Sequence, residues 1–299
     1  MLRRNYAVYD VFTVDVMAGN PLAVVFDGEG LDTAAMQQIA GEFNLSETVF
    51  ILPPANPRHR ARVRIFTPRH ELPFAGHPTV GSAVALFESA PGGGMMVLEE
   101  TVGLIRCEVQ REGDAAFASF TLPRVAEKLD FAATDAEVAA ALGLEVPDIG
   151  FDDHKIGLWT GGVPYVTVPL ASAAAAGRAK LDERAWIGLT GPVEALSAAA
   201  FIYCRECVFP ESAFHARMFA PHLGIPEDPA TGSAVAALAG ALTAHEGAGD
   251  GSHRFWVEQG VEMGRPSRIR LDIDVVGGVM TGGRMGGHAV RVAEGTLLV

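Results

Sequence analysis

Apolar and polar residues alternate along short stretches of the chain, and a few longer stretches show helical spacing. Clusters of β-branched and aromatic residues predict strands at 6–15, 22–26, 48–52 and 62–66. Residues 32–43 predict a helix, because their apolar positions recur at helical spacing and Asp32 is a good N-cap. Short strands of this kind mixed with isolated helices predict an α+β fold.

Two further helices are predicted at 78–88 and 229–244, and both are dominated by Ala, Gly and Ser. Helices with such small side chains are buried by close packing, so we expect each to lie at the centre of a sheet. Thr134 and Glu137 have the spacing of a capping box and predict a short helix that ends at Gly143.

The chain repeats much of its own sequence. Several segments recur in the same order at a separation of about 150 residues, which is too long for a solenoid unit and fits two similar domains. The matching pairs are 45–51 with 196–202, 64–68 with 217–221, and 81–85 with 232–236, the last pair being identical letter for letter. We predict two pseudo-symmetric domains, each a curled, mostly antiparallel sheet around a central helix.

The predicted domains are 1–124 and 125–287, which suits a chain of 299 residues. The final strand, 288–299, has no counterpart in the repeat, and one possibility is that it returns to the first domain. The cleft between two such halves is the default place for a ligand.

Polar residues present in only one copy of the repeat are candidates for chemistry. The alignment sets Glu47 against Ala198, Asp228 against Ala75, and His77 against Ala230. This divergence indicates one asymmetric site to which both halves contribute. We predict that Glu47, His77 and Asp228 line a single interdomain cleft.

Glu47 has the setting of a general acid/base. It lies between a helix and an apolar strand, and a carboxyl among apolar groups has a raised pKa and can both give and take protons. Each candidate also has an ordinary structural interpretation. Glu47 can cap the turn or point into solvent, Asp228 can be an N-cap, and His77 can be a hydrogen-bonded turn histidine.

Two glycine-rich turns, 75–79 and 228–233, each lead into a helix. The free N–H groups of a helix start attract anions, and small residues let a ligand approach the backbone. Two such starts in one cleft would suit a substrate carboxylate, although each is also explained as a tight turn.

Composition narrows the class of protein. The net charge of −13 argues against nucleic acid or an anionic membrane as a partner, but a local site can still bind a small anionic substrate. Three cysteines in a chain of this length do not form a disulfide framework, and no long apolar stretch or secretory leader is evident. We therefore expect a cytoplasmic protein.

The remaining motifs do not predict a cofactor. Cys204 and Cys207 lack the second pair of a zinc site, and His215 and His222 lack a clear third ligand. The glycine-rich segment 282–287 does not join a strand to a helix, so it is not a dinucleotide-binding turn. We expect no metal, nucleotide or flavin.

Several of these motifs together resemble the phenazine-biosynthesis PhzF-like proteins. The similar segments extend over nearly the whole chain. They are Gly19-Asn20-Pro21 and residues 44–48, 74–79, 227–234, 258–260 and 264–267.

This resemblance implies the diaminopimelate-epimerase-like fold and a cofactor-free isomerase that acts by proton transfer, usually as a homodimer. Glu47 matches the family's general acid/base. His77, Asp228 and Ser233 match its supporting polar groups, and Gly76 and Gly232 match its substrate-lining backbone. The founding reaction of the family isomerises trans-2,3-dihydro-3-hydroxyanthranilate. The alternative is a non-catalytic member of the fold that binds a ligand or a protein partner.

Racemases and epimerases of this fold use one cysteine in each half. The corresponding turns here hold Ala75 and Ala230, with no cysteine nearby. A two-cysteine racemase is therefore disfavoured.

Overall fold

The contacts of the chain divide it into two compact units. The computed structural model describes residues 3–90, 94–113, 115–193 and 196–299. Unit 1 comprises residues 1–123 and 285–299, and unit 2 comprises residues 124–284. No helix in these described ranges is long and apolar enough to cross a membrane.

Unit 1 is built mainly of strands. Its elements are β1 (Arg3–Val11), β2 (Asn20–Val25), α1 (Thr33–Phe43), β3 (Glu47–Leu52), β4 (Ala61–Phe66), β5 (Glu71–Leu72), α2 (Gly76–Ser89), β6 (Met95–Glu100), β7 (Gly103–Glu112) and β8 (Ala115–Thr121).

Unit 2 has more and shorter helices outside its sheet. Its elements are β9 (Glu127–Leu129), α3 (Asp135–Ala141), β10 (Gly157–Thr160), β11 (Pro164–Pro169), α4 (Ala173–Arg178), α5 (Glu183–Thr190), β12 (Pro192–Val193), β13 (Leu196–Ser197), β14 (Ala199–Cys204), β15 (Phe214–Ala220), β16 (Ile225–Asp228), α6 (Gly232–His245), β17 (Gly251–Gln259) and β18 (Ser267–Val276). The last strand, β19 (Val279–Leu298), begins in unit 2 and ends in unit 1.

Both units pair their strands in one order. In unit 1, β1 is antiparallel to β2, β2 is parallel to β3, β3 is antiparallel to β4, and β4 is parallel to β6. In unit 2 the same relations join β10 to β11, β11 to β14, β14 to β15, and β15 to β17. In each unit strands pack around one helix, α2 or α6. The predicted α+β fold, with a mostly antiparallel sheet around a central helix, is confirmed.

The residues of the last strand are divided between the two units. Residues 279–284 of β19 lie in unit 2, and the residues from Met285 onward lie in unit 1. There Ala289 to Leu298 pairs antiparallel with β1, with a bulge beside Tyr9.

Small residues explain why α2 and α6 are central. Residues 76–86 of α2 are all buried, as are most residues of α6. A Cβ added to Gly81 would lie 2.5 Å from a methyl carbon of Leu22, and one added to Gly240 would lie 2.4 Å from the Trp159 ring. The predicted burial of these helices by close packing is confirmed.

Local capping signals were read correctly from the sequence. The Asp32 side chain accepts a hydrogen bond from the N–H of Ala35 and begins α1. Asn44 ends this helix in the left-handed conformation, with φ of 50°. The capping box of Thr134 and Glu137 is present at the start of α3.

Strand β1 lies earlier in the chain than predicted, because it runs over Arg3–Val11 rather than over 6–15. Phe12 has φ of 68°, a left-handed conformation that breaks the strand. The Asp10 carboxylate then accepts a hydrogen bond from the N–H of Met17 and holds the turn that follows.

An arginine–glutamate pair recurs at the same place in each unit. The guanidinium of Arg64 donates to both carboxylate oxygens of Glu71, at 2.7 and 2.6 Å. That of Arg217 donates to both oxygens of Glu227, at 2.8 and 2.9 Å. Each guanidinium also lies over the phenylalanine two residues further along its strand. These pairs mark equivalent positions in the two units.

The strand register corrects the predicted counterpart of Glu47. Phe66 lies opposite Thr48 in its ladder, whereas Phe219 lies opposite Ala200. Because Phe66 and Phe219 are equivalent, Glu47 corresponds to Ala199 rather than to Ala198.

The helix starts also correct the predicted alignment of the two copies of the repeat. Ala75 and Thr231 are the N-cap residues of α2 and α6. His77 is therefore equivalent to Ser233, not to Ala230. The letter-for-letter match of 81–85 with 232–236 is not a structural match, because Gly232 begins its helix whereas Gly81 is well inside its own.

Asp228 likewise has a different counterpart from the predicted Ala75. It lies opposite Met218 in its ladder, just as Leu72 lies opposite Ile65. The counterpart of Asp228 is therefore Leu72. The carboxyls of Glu47 and Asp228 each remain present in one unit alone.

Candidate active site

Glu47 begins a strand that is buried along its whole length. It follows the left-handed turn at Asn44 and lies opposite Leu22 in the parallel ladder of β2 and β3. The residue is only 9% exposed. The structure therefore excludes the interpretation of Glu47 as a solvent-directed side chain.

His77 meets Glu47 within unit 1. Its Nε2 lies 3.3 Å from Oε2 of Glu47, within ion-pair distance, although the contact does not meet hydrogen-bond geometry. Burial lowers the pKa of His77 to about 3, so the imidazole is neutral at physiological pH. A neutral imidazole beside a carboxyl can either donate or accept a proton in a hydrogen bond with a ligand.

Gly76 and His77 form the first turn of α2. Their N–H groups precede the first hydrogen bond of the helix, which runs from Thr79 to the carbonyl of Ala75. Its N-cap residue, Ala75, makes no side-chain capping hydrogen bond. First-turn N–H groups have no partner within their own helix, so this start can receive an anion.

The start of α6 in unit 2 is held by a different set of contacts. Oδ2 of Asp228 accepts a hydrogen bond from the Thr231 hydroxyl at 2.5 Å. The Gln259 amide accepts from the N–H of Thr231 at 3.1 Å and donates to the carbonyl of Asp228 at 2.7 Å. Gly260 packs against the backbone of this turn, because a Cβ added to it would lie 2.6 Å from the carbonyl oxygen of Pro229.

Gly232 and Ser233 are the first two residues of α6. The Ser233 hydroxyl lies 2.7 Å from the hydroxyl of Tyr165 on β11, a partner that sequence reasoning missed. Tyr165 lies within β11, and its spacing along the sequence gives no sign of a site. The α6 start thus carries a serine hydroxyl where the α2 start carries an imidazole.

The candidate residues form two groups. Glu47, Gly76 and His77 lie together in unit 1, whereas Asp228, Gly232 and Ser233 lie together in unit 2. The contact between Glu47 and His77 joins residues from a strand and a helix. A single cleft that includes Asp228 stays a prediction.

The cysteine and histidine motifs have local partners. Burial raises the pKa of Cys204 to about 11 and that of Cys207 to about 12, so neither is a thiolate near neutral pH. Both ring nitrogens of His215 contact carboxylates, those of Glu258 and Glu262. Within the described ranges, no group of three or more His, Cys, Asp and Glu side chains has an arrangement suited to a metal ion.

Comparison with known families gives a match over nearly the whole chain. A family model described as phenazine biosynthesis-like protein matches residues 9–295. An uncharacterized isomerase of Mesorhizobium japonicum is 56% identical, with both chains covered completely. The trans-2,3-dihydro-3-hydroxyanthranilate isomerase of Pseudomonas aeruginosa is 34% identical over 97% of this chain and 98% of its own.

Solved structures show the same similarity. A phenazine biosynthesis protein of the PhzF family from Bacillus anthracis has a TM-score of 0.91 and 27% identity, with both chains covered completely. A hydroxyproline epimerase from Agrobacterium vitis has a TM-score of 0.66 and 14% identity over 99% of this chain and 91% of its own. The second similarity concerns the fold alone.

Proposed function

Because the chain belongs to the family of phenazine biosynthesis-like proteins and is an isomerase, we propose that it moves a proton on a small carboxylate-bearing substrate without a cofactor. The observation that carries the proposal is the buried Glu47 carboxyl, 3.3 Å from a neutral imidazole in the first turn of a helix whose N-cap residue is an alanine.

Glu47 is the proposed proton shuttle. A single carboxyl that takes a proton from one carbon and returns it to another needs a position beside the substrate and little bulk water, because water would exchange or divert the proton. The buried start of β3 meets the second requirement. His77 is neutral, so its contact with Glu47 does not fix the carboxyl as one half of a permanent ion pair.

The other candidates hold the substrate in this proposal. The N-termini of α2 and α6 and the Ser233 hydroxyl bind its carboxylate, because N–H groups at helix starts and neutral hydroxyls are hydrogen-bond donors to anions. His77 and Asp228 position its other polar groups. This division requires Asp228 to face the same ligand as Glu47.

The known relatives suggest a substrate class. Trans-2,3-dihydro-3-hydroxyanthranilate is the substrate in the name of the Pseudomonas aeruginosa relative, and it carries a carboxylate and a carbon acid, as the proposed site requires. A dihydroaromatic acid of this type is therefore the first substrate to test. A homodimer and a cytoplasmic location remain part of the proposal.

A two-cysteine racemase is the less favoured chemistry on this fold. The N-cap positions of the two central helices hold Ala75 and Thr231, and both are non-acidic. Neither can serve as a thiol base. The alternative of a non-catalytic binding protein is tested by the same experiment as the isomerase.

The test is incubation with trans-2,3-dihydro-3-hydroxyanthranilate in heavy water, followed by NMR for a shifted double bond and for deuterium at carbon. The proposal expects both, with no added metal or nucleotide. Tight binding with neither change would support the binding protein instead.

A further inference from the structure

A second buried carboxyl lies beneath the start of α2. Glu100 ends strand β6 and is 7% exposed. Its Oε1 lies 2.8 Å from the Thr79 hydroxyl, in the first turn after Gly76 and His77. Its Oε2 has no hydrogen-bond partner among the described residues. An ionised carboxylate in this position would leave a buried charge largely uncompensated, which is costly.

Counting protons decides between the two states of Glu100. The Thr79 hydroxyl lies 2.8 Å from the Ala75 carbonyl as well as 2.8 Å from Glu100. A hydroxyl has one proton to donate, and a carbonyl has none. Both contacts are hydrogen bonds only if Glu100 donates to Thr79 and Thr79 donates to Ala75. With an ionised Glu100, one pair of oxygens would face each other without a proton.

Unit 2 contains a corresponding arrangement. Arg62 lies opposite Glu99, and His215 lies opposite Glu258, in the corresponding parallel ladders. Because Arg62 and His215 are equivalent by the repeat, Glu99 corresponds to Glu258, and Glu100 corresponds to Gln259.

Other contacts support this equivalence. The Glu99 carboxylate accepts hydrogen bonds from the N–H groups of Ala55 and Asn56. The Glu258 carboxylate does the same for Val208 and Phe209.

In unit 2 the side-chain amide of Gln259 donates the corresponding hydrogen bond. Its Nε2 donates to the hydroxyl of Thr231 at 3.0 Å, and Thr231 is the N-cap residue of α6. Glu100 is connected through Thr79 to Ala75, the N-cap residue of α2. A protonated carboxyl is the closest chemical equivalent of an amide, because each has one acceptor oxygen and one donor group.

We propose that Glu100 is held as a neutral carboxylic acid that donates to Thr79 and so fixes the start of α2, where Gly76 and His77 lie. Glu100 is thus a positioning residue and not a group that touches the substrate. The proposal rests on the proposed function only for its effect on turnover; the protonation state itself is independent of any substrate.

The surroundings of Glu100 favour the neutral form. Burial raises its pKa to about 8, and this outweighs the lowering that a hydrogen bond donated by Thr79 to the carboxylate would cause. On α2, His77 is neutral, because its own pKa is lowered to about 3. On β6, Oε1 of Glu99 lies 2.7 Å from Nδ1 of His59. Arg62 of β4 lies opposite Glu99 in the parallel ladder rather than opposite Glu100.

Ionisation would break this chain of hydrogen bonds. Above about pH 8 Glu100 would lose its proton to solvent and accept the hydrogen bond of the Thr79 hydroxyl, and the Ala75 carbonyl would lose its side-chain donor. The α2 start would then shift relative to Glu47. We therefore expect kcat to fall on the alkaline side of the pH profile.

The first experiment is carbon-13 NMR of protein labelled at the glutamate side-chain carboxyls. The signal that disappears in Glu100→Gln should have the chemical shift of a protonated carboxyl at pH 6 and should titrate near pH 8. A carboxylate shift at pH 6 would overturn the proposal, whether or not the enzyme turns over any substrate.

The second experiment compares pH profiles of kcat on a proven substrate. Glu100→Gln should retain wild-type kcat at pH 7 and lose the alkaline fall, because the amide donates at every pH, as Gln259 does. Thr79→Val should lower kcat at every pH by about 10-fold, the equivalent of one lost hydrogen bond. Thr79→Ser should restore it.

Two results would contradict the positioning role. One is an alkaline fall that persists unchanged in Glu100→Gln. The other is a Thr79→Val variant whose kcat equals that of Thr79→Ser while both proteins are equally folded by circular dichroism.

Discussion

Nε2 of His77 lies 3.3 Å from Oε2 of Glu47, and both residues are buried in unit 1. His77 lies at the start of helix α2 and Glu47 at the start of strand β3, about 30 residues apart in sequence. A buried carboxyl is thus placed beside a neutral imidazole that belongs to the first turn of α2.

Ser233→Ala should weaken substrate binding more than it slows the chemistry. The variant removes the hydroxyl that lies 2.7 Å from Tyr165 at the start of α6. Loss of one hydrogen bond to a charged group should raise KM about 10-fold or somewhat more and change kcat little. Steady-state kinetics would measure this, with Ser252→Ala at the exposed start of β17 as the matched control. A fall in kcat at unchanged KM would contradict the carboxylate-binding role.

Thiol reagents should leave activity intact. Burial raises the pKa of Cys204 and of Cys207 to about 11 and 12, and Cys107 is buried as well. Native protein treated with iodoacetamide at neutral pH should keep its turnover, with labelling followed by mass spectrometry. Inactivation that parallels labelling of one cysteine in the folded protein would return a cysteine base to consideration.

The two arginine–glutamate pairs should differ in their contribution to stability. Arg217 is 7% exposed and also donates to the carbonyls of Ala176 and Ala179, so Arg217→Ala leaves several buried acceptors unpaired. We expect a loss of about 3–5 kcal/mol in the free energy of unfolding. The side chains of Arg64 and Glu71 are 23% and 29% exposed, so Arg64→Ala should cost about 1 kcal/mol. Urea denaturation measures both, and equal losses would contradict the difference in burial.

His215 should make stability depend on pH. Burial lowers its pKa, but hydrogen bonds to Glu258 and Glu262 outweigh this and raise the pKa to about 9 from 6.5. The native state therefore binds the proton more tightly than the unfolded chain does. This stabilisation is complete below pH 6.5 and is lost as the pH rises through 9.

Urea denaturation at several pH values, with His215→Gln as the reference variant, isolates that contribution. The stability difference between wild type and variant should shrink as the pH rises from 6.5 to 9. A difference that stays constant or grows over this window would show that His215 is neutral in the folded protein.

Sequence reasoning succeeded where the signal is local. The cap of α1 at Asp32 and the capping box at Thr134 depend on residues within one turn, and both are present. The general location and burial of α2 and α6 also followed from their small residues. These features depend on spacing along the chain, which the sequence states directly.

Sequence reasoning failed where distant residues decide the local conformation. Pro229 is a favourable first helical residue, but α6 begins at Gly232 because Gln259 and Asp228 hold the intervening turn. The identical segments 81–85 and 232–236 suggested a wrong alignment for the same reason. Neither the Tyr165–Ser233 contact nor the Glu100–Thr79 contact has a signature in spacing, because each joins elements that only the folded sheet brings together.

The most direct test of the central claim is carbon–deuterium exchange by Glu47→Gln. With a proven substrate in heavy water, the variant should lose deuterium incorporation and turnover at least about 100-fold, the lower end of what a positioned acid/base contributes. Substrate affinity should change little, since the carboxylate is held elsewhere. Glu42→Gln, on the exposed face of α1, should behave as wild type. Full exchange and turnover by a folded Glu47→Gln would contradict the assignment and leave Asp228 as the next candidate base.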